Sequence, residues 1–167
     1  YIEAVAEINY FDGLVMVTVC DDAIPAHVMA AARLGLPAIV IPGGSMRAAQ
    51  YKGERIDWVE MVHKYGELQV GKVTQEEFNQ IHDCAVCGAG SCDGMGTGNT
   101  GAIFTEALGL TLPGAGTVPG DAPEILEIGR RSGEQIMRLV REGLGIREIL
   151  TPKALENAIR VFLAVGG

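Results

Sequence analysis

Two short runs limit what this chain can fold into. LVMVTV, residues 14–19, and PAIVI, residues 37–41, carry no charged residue, and Pro25 to Leu34 between them reads as a helix. A strand with one face in water alternates apolar and polar residues. A continuously apolar strand suits a sheet covered on both faces, the arrangement of parallel strands joined by helical crossovers. The first half therefore reads as a βαβ unit, and the fold class as α/β, a parallel sheet flanked by helices in an α/β/α sandwich.

Other elements follow from local signals. YIEAVAEIN, residues 1–9, has a helical pattern and Asp12-Gly13 marks a turn before the first strand. Trp58 to Leu68 is helical in pattern. Thr74 with Glu77 forms a capping box for a helix reaching about His82. The loop CAVCGAGSCDGMGTGNTG, residues 84–101, precedes a helix around Ala102 to Leu108. Ile125, Ile128, Ile136, Leu139 and Val140 keep helical spacing to about Arg141. Thr151-Pro152, a cap residue with proline at the first helical position, opens a last helix. There is no internal repeat and no low-complexity linker, and 167 residues with 48% hydrophobic content suit one domain.

Charge narrows the partners. Thirteen Lys and Arg against 21 Asp and Glu give a net charge of −8, which argues against nucleic acid and against an anionic membrane surface. No apolar run approaches the roughly 18 residues of a membrane span, so a soluble protein is expected. The chain opens without Met on what reads as the middle of a helix and stops at VFLAVGG, so a fragment of a longer protein is expected. By number Cys20, Cys84, Cys87 and Cys92 allow two disulfides, but three crowd into residues 84–92 and nothing suggests a small secreted scaffold. A reduced, cytoplasmic, metal-binding protein is the expectation.

Cys20 ends a predicted parallel strand, and ligands of open α/β sheets gather outside the carboxyl ends of strands. Pro25 marks the next helix, whose positive end favours a thiolate at Cys20. Taken singly, Cys20 also suits a buried structural cysteine, and Asp21 and Asp22 suit acids at a helix start. Gly88, Gly90, Gly94, Gly96, Gly98 and Gly101 imply backbone passing very close to something bound. The run matches neither a P-loop nor a Rossmann fingerprint. Two other readings remain open: a zinc knuckle of His82, Cys84, Cys87 and Cys92, and an iron–sulfur site pairing a thiolate of this loop with Cys20. His27 and His63 read as packed or solvent-facing, and Met29, Met61 and Met137 as core.

CDDAIPAHVMAAARLGLPAIVIPGGSM and GAGSCDGMGTGNTGAIFTEALGLTLPGAGTVPG together resemble the dihydroxy-acid and sugar-acid dehydratase family. The resemblance covers nearly the whole chain. ILTPKALENAIRVFLAVGG is similar to the family's segment before its Gly-Gly-Ser-Thr-Asn motif, and GKVTQEEFNQIHDCAVCGAGSC is closer to the dihydroxy-acid branch. Residues 1–167 then correspond to the central part of the N-terminal α/β domain of a two-domain enzyme. The family motif Cys-Asp-Lys-x-x-Pro is matched by Cys20, Asp21 and Pro25, which implies that Cys20 binds an iron–sulfur cluster and Asp21 a magnesium ion. Gly-Ser-Cys-x-Gly-Met-x-Thr-x-Asn makes Cys92 another cluster ligand and leaves Cys84 and Cys87 accessory. The implied reaction dehydrates a 2,3-dihydroxy acid or sugar acid to a 2-oxo acid, with the cluster, 2Fe–2S or 4Fe–4S, as Lewis acid on the C3 hydroxyl and Mg²⁺ at the carboxylate end. The resemblance also implies a place in branched-chain amino acid biosynthesis and a homodimer or homotetramer.

Departures from the pattern shape the expectation. The lysine after Cys-Asp is Asp22 here, expected to reach the magnesium ion through a bridging water. Thr18 and Val19 stand where glycines precede the cysteine, and Gly-Gly-Pro-Met is Gly43-Gly44-Ser45-Met46. The remaining cluster cysteine lies upstream in the family pattern. The catalytic serine belongs to a C-terminal β-rich domain absent from this chain. The chain alone is therefore expected to be inactive and to hold no catalytic base. The competing reading is a divergent homologue that binds a cluster or metal without dehydrating anything.

Overall fold

The computed structural model describes residues 1–86 and 88–167. Helix α1 (Ile2–Ile8) leads to strand β1 (Leu14–Thr18), and helix α2 (Ala23–Leu34) crosses to strand β2 (Ala38–Pro42). A hairpin of β3 (Ala49–Tyr51) and β4 (Glu54–Ile56) follows, then α3 (Trp58–Gln69), α4 (Gln75–Ala85) and α5 (Thr97–Ala107). A 3₁₀ turn at Ala115–Thr117 precedes α6 (Glu124–Glu142), the short α7 (Ile146–Ile149) and α8 (Pro152–Val165).

β1 and β2 pair in parallel with Leu14 opposite Ala38 and Thr18 opposite Pro42. The βαβ unit is therefore present, and the chain is α/β. Gly35 ends α2 in the left-handed region at φ 73°, its N–H reaching the Ala31 carbonyl, and turns the chain back to the sheet. Leu14, Met16 and Val40 pack with Ala6 of α1, Ala31 of α2 and Ala158 of α8. Val40, Leu110 and Ile146 are almost wholly buried in this layer, each contributing roughly 1.5–3 kcal/mol. On the other face Ile39 meets Ile136 and Leu139 of α6, and Ile41 meets Ile128. Helices thus lie on both faces of the sheet.

Cover on both faces, expected for both strands, holds only for β2. Every residue of β2 is buried, while Val15 and Val17 of β1 are 44% and 65% exposed. The register places them beside Ile39 and Ile41, and the buried α6 residues pack on those two β2 side chains. Met29 and Met137, expected in the core, are 54% and 51% exposed. Met61 packs at the edge of a separate small cluster of Ile56, Ile81 and Ala85, which joins the hairpin to α4.

Both threonine N-caps form where they were read, while the Glu77 carboxylate of the expected capping box pairs with Lys52 Nζ at 3.0 Å. Thr74 Oγ1 accepts from Glu77 N at 3.2 Å and Thr151 Oγ1 from Ala154 N at 3.1 Å. Among the described residues no helix is long and apolar enough to cross a membrane.

Candidate functional site

Cys20 lies just past the end of β1 in a left-handed conformation, φ 74°, that non-glycine residues rarely adopt. Such strain persists only where the surroundings impose it, and it gathers at functional positions. The Gly43 N–H extends the ladder to the Thr18 carbonyl at 2.8 Å, and the Cys20 carbonyl accepts from Ile24 N at 3.4 Å as α2 begins. The Cys20 thiol donates to Asp21 Oδ1 at 2.8 Å. That bond is the main reason the Cys20 thiol is pushed above its ordinary pKa and the Asp21 carboxyl below its own. The carboxylate next door thus acts against the thiolate that the helix start was expected to favour. A soft cation that displaces the shared proton would meet a thiolate and a carboxylate side by side.

Cys92 reaches the same place through a crossing of three segments beyond β2. Ser91 N donates to Gly44 O at 2.8 Å and Met46 N to Ser91 O at 2.7 Å. From the other side Gly120 N donates to Ser45 O at 2.9 Å. Gly44, at φ 80°, admits no side chain, since a Cβ there would lie 2.5–2.6 Å from backbone atoms of Gly120 and Val118. Asn99, in the first turn of α5, then closes the loop. Its Nδ2 donates to Cys92 O at 2.7 Å and Gly94 O at 2.6 Å, and its Oδ1 accepts from Ser91 Oγ at 2.7 Å.

A cavity of about 300 Å³ results, with Cys20, Asp21, Cys92, Trp58, Ser91 and Asn99 among its walls. Both thiols are exposed and unbridged. Gly96 caps α5 without a side-chain bond, so the positive end of this helix borders the cavity and favours an anionic ligand. Asp21 belongs to this cavity and Asp22 does not. Asp22 occupies the N-cap position of α2 but makes no side-chain cap bond, and it borders an outer hollow with Tyr1, Met29 and Arg33.

The other candidates lie apart. Cys84 packs against the Ile56–Ile81–Ala85 cluster, His82 is exposed beside Asp83, and Cys87 lies outside the described residues. His27 Nδ1 contacts the Ala23 carbonyl within its own helix, and His63 is exposed near Glu60. The glycine run was expected to approach a bound group. What it approaches in most cases is the protein: Gly90 meets the Gly44–Ser45 backbone, Gly94 the Trp58 indole, and Gly101 the Ile24 side chain.

Among the described residues no three His, Cys, Asp or Glu side chains gather to hold one ion. Cys20, Cys92 and Asp21 do bring two thiols and one carboxylate to the wall of one cavity. Thiolates are the protein ligands of iron–sulfur clusters and a carboxylate oxygen suits Mg²⁺, so the donor set fits a share of each. Trp58 and Asn99 were not singled out from the sequence. Asn99 had a signal there, as the last residue of the quoted loop motif, whereas Trp58 had only its place at the start of a helix.

A family model described as dihydroxy-acid/6-phosphogluconate dehydratase N-terminal matches residues 1–167. A dihydroxy-acid dehydratase of Methanococcoides burtonii is 46% identical over 166 residues, 99% of this chain and 30% of the relative. Dihydroxy-acid dehydratases of Methanococcus maripaludis strain C6 and Pyrococcus abyssi are 43% and 45% identical over the same shares. The chain thus spans 30% of the length of these curated relatives.

Proposed function

Because this chain belongs to the dihydroxy-acid/6-phosphogluconate dehydratase N-terminal family, we propose that its protein is a hydro-lyase dehydrating a 2,3-dihydroxy acid to a 2-oxo acid with an iron–sulfur cluster and Mg²⁺. The relatives' names support the substrate class. The observation that carries the reading is the convergence of Cys20, from the βαβ unit, and Cys92, from the glycine-rich loop, on one cavity.

In this reading Cys20 and Cys92 hold the cluster and Asp21 gives an oxygen to the magnesium ion. When bound, these groups supply Lewis acids for the C3 hydroxyl and the carboxylate end of the substrate. The chain's own residues bind and orient. Asn99 and Ser91 fix the Cys92 loop, and the Cys20 thiol proton, shared with Asp21, leaves as the thiolate takes its metal. The first turn of α5 presents backbone N–H groups to an acidic ligand. Apart from Asp21, no carboxylate or histidine lines the cavity among the described residues, so the base that takes the C2 proton comes from elsewhere in the protein. Asp22, facing the outer hollow, takes no direct metal bond. The exposed thiols suit a reducing compartment, and we assign the protein to the cytoplasm.

The test is anaerobic reconstitution of the full-length protein with iron and sulfide. Cys20→Ser and Cys92→Ser should each abolish the visible cluster absorption and 2-oxo acid formation, while Cys84→Ser keeps most of both. Loss in Cys84→Ser with retention in Cys20→Ser would replace this reading with a local metal site in the glycine-rich loop. The isolated 167 residues should turn over no dihydroxy acid.

A further inference from the structure

β1 is paired along one edge and open along the other. The Leu14 N–H donates to Pro37 O at 2.9 Å and Thr18 O accepts from Gly43 N at 2.8 Å, so Leu14, Met16 and Thr18 turn their backbone groups toward β2. Alternation along a parallel strand then turns the N–H and C=O groups of Val15 and Val17 the other way. Among the described residues β2 is the one strand that pairs with β1, and no backbone bond outside that ladder reaches Val15 or Val17. The far edge of β2 differs, since Val40 N donates to Leu110 O at 2.8 Å. Val15 and Val17 also leave their side chains exposed, beside the Ile39 and Ile41 side chains that pack against α6 and its neighbours. The apolar face thus continues past its cover. Proteins blunt an exposed edge strand with a charge, a proline or a bulge, because it can otherwise pair with any other strand. LVMVTV carries no charge and no proline, and its register on β2 runs without a break.

We propose that a strand from the same protein, outside residues 1–167, completes the sheet by pairing with the Val15 and Val17 backbone and setting apolar side chains beside theirs. The chain spans 30% of the length of its curated relatives, so most of such a protein lies outside it. A strand on the same polypeptide meets the edge at a high effective concentration, which favours it over a second copy. Val15 and Val17 set its chemistry: main-chain bonds give the pairing, and apolar, branched residues suit the face shared with Ile39 and Ile41. A strand laid along β1 also brings one of its ends level with Cys20, outside the carboxyl end of the sheet where ligands of such folds gather. The inference is independent of what Cys20 and Cys92 bind.

Amide hydrogen exchange in the full-length wild type, resolved to single residues by mass spectrometry, reads the pairing without any substitution. The Val15 and Val17 amides should exchange within about tenfold of the Met16 amide, which β2 holds, and faster exchange than that would overturn the proposal. Val17→Lys in the full-length protein should melt several degrees below wild type, and Val17→Thr, which keeps a branched side chain, should fall less. Melting of Val17→Lys at the wild-type temperature would count against an apolar neighbour and overturn the proposal. A diazirine side chain placed at position 17, in a mixture of light- and heavy-isotope protein, identifies that neighbour. Crosslinks should join residue 17 to a peptide outside residues 1–167 carrying the same isotope label. Crosslinks between light and heavy copies would give the edge to a second copy, and crosslinks confined to residues 1–167 would give it to this chain; either would overturn the proposal.

Discussion

Replacing Asn99 by Ala asks whether one side chain holds the Cys92 loop in place. It removes two donated bonds, to Cys92 O and Gly94 O, and one accepted from Ser91 Oγ, all between 2.6 and 2.7 Å. A neutral hydrogen bond contributes about 0.5–1.5 kcal/mol net, so three would total roughly 1.5–4.5 kcal/mol. Asn99 is half-buried, and Ser91 Oγ keeps its 3.3 Å bond to Gly44 O. Water can serve part of what is lost, which brings the expected cost to about 2 kcal/mol. For a domain of this size that lowers Tm by roughly 4–8 °C. Asn99→Asp should be worse than Ala, because it turns a carboxylate oxygen toward two carbonyl oxygens. Thermal unfolding followed by circular dichroism reads both, and alkylation of Cys92 mapped by mass spectrometry reads the loop separately. An Ala variant melting within about 1 °C of wild type, with Asp no worse and Cys92 no more reactive, would refute the reasoning.

Asp21→Asn should bring the Cys20 thiol back down toward its ordinary pKa, since the carboxylate holding its proton is the main cause of the upward shift. More thiolate at about pH 8 should speed iodoacetamide alkylation several-fold, the two rates converging at higher pH; an equal or slower rate at pH 8 would contradict the assignment. Glu106 binds the Gly114 and Gly116 N–H groups at 2.7 and 2.8 Å, one with each oxygen. Glu106→Gln turns an amide N–H toward one of them and should cost about 1–2 kcal/mol in urea unfolding; a midpoint equal to wild type would show the turn is held otherwise. Gly44→Ala must fit a Cβ against the backbone of Gly120 and Val118 at positive φ. The left-handed penalty and overpacking together should cost about 2–5 kcal/mol. A wild-type urea midpoint would mean the crossing is looser than its distances.

What the sequence disclosed of the fold depended on how local each signal was. The apolar runs gave β1, β2 and their parallel pairing, and Thr74 and Thr151 gave helix starts, because strand burial and N-caps are written within a few residues. The β3–β4 hairpin was missed. Its strands, AQY and ERI, are three residues each and mostly not buried, and Lys52 takes φ 51° before Gly53 at 86°. That matches a turn with both central residues at positive φ, where Asn or Asp before Gly is the usual signal. α5 begins at Thr97, ahead of the expected Ala102, because Gly98 and Gly101 read as loop. In the fold Gly101 packs on the Ile24 side chain of α2.

The site shows where such reading stops. Cys20 and Cys92 were legible as a pair through resemblance, and their common cavity adds geometry that no spacing could supply. Asp21 and Asp22 are chemically identical neighbours, so composition and pattern could not separate them. The left-handed turn at Cys20 does so, leaving one carboxylate beside the thiol and the other on the outer side of α2. The glycines were read as room for a ligand, whereas most are room for the protein itself, at contacts such as Gly90 on Gly44 and Gly94 under Trp58. Those close approaches bring Ser91 to Gly44 and so set Cys92 beside the end of β1. A substitution at Gly44 or Gly90 should therefore disturb the pairing of the two thiols without touching either, and binding to a dithiol-seeking probe such as a trivalent arsenical should fall in step with the loss of that crossing.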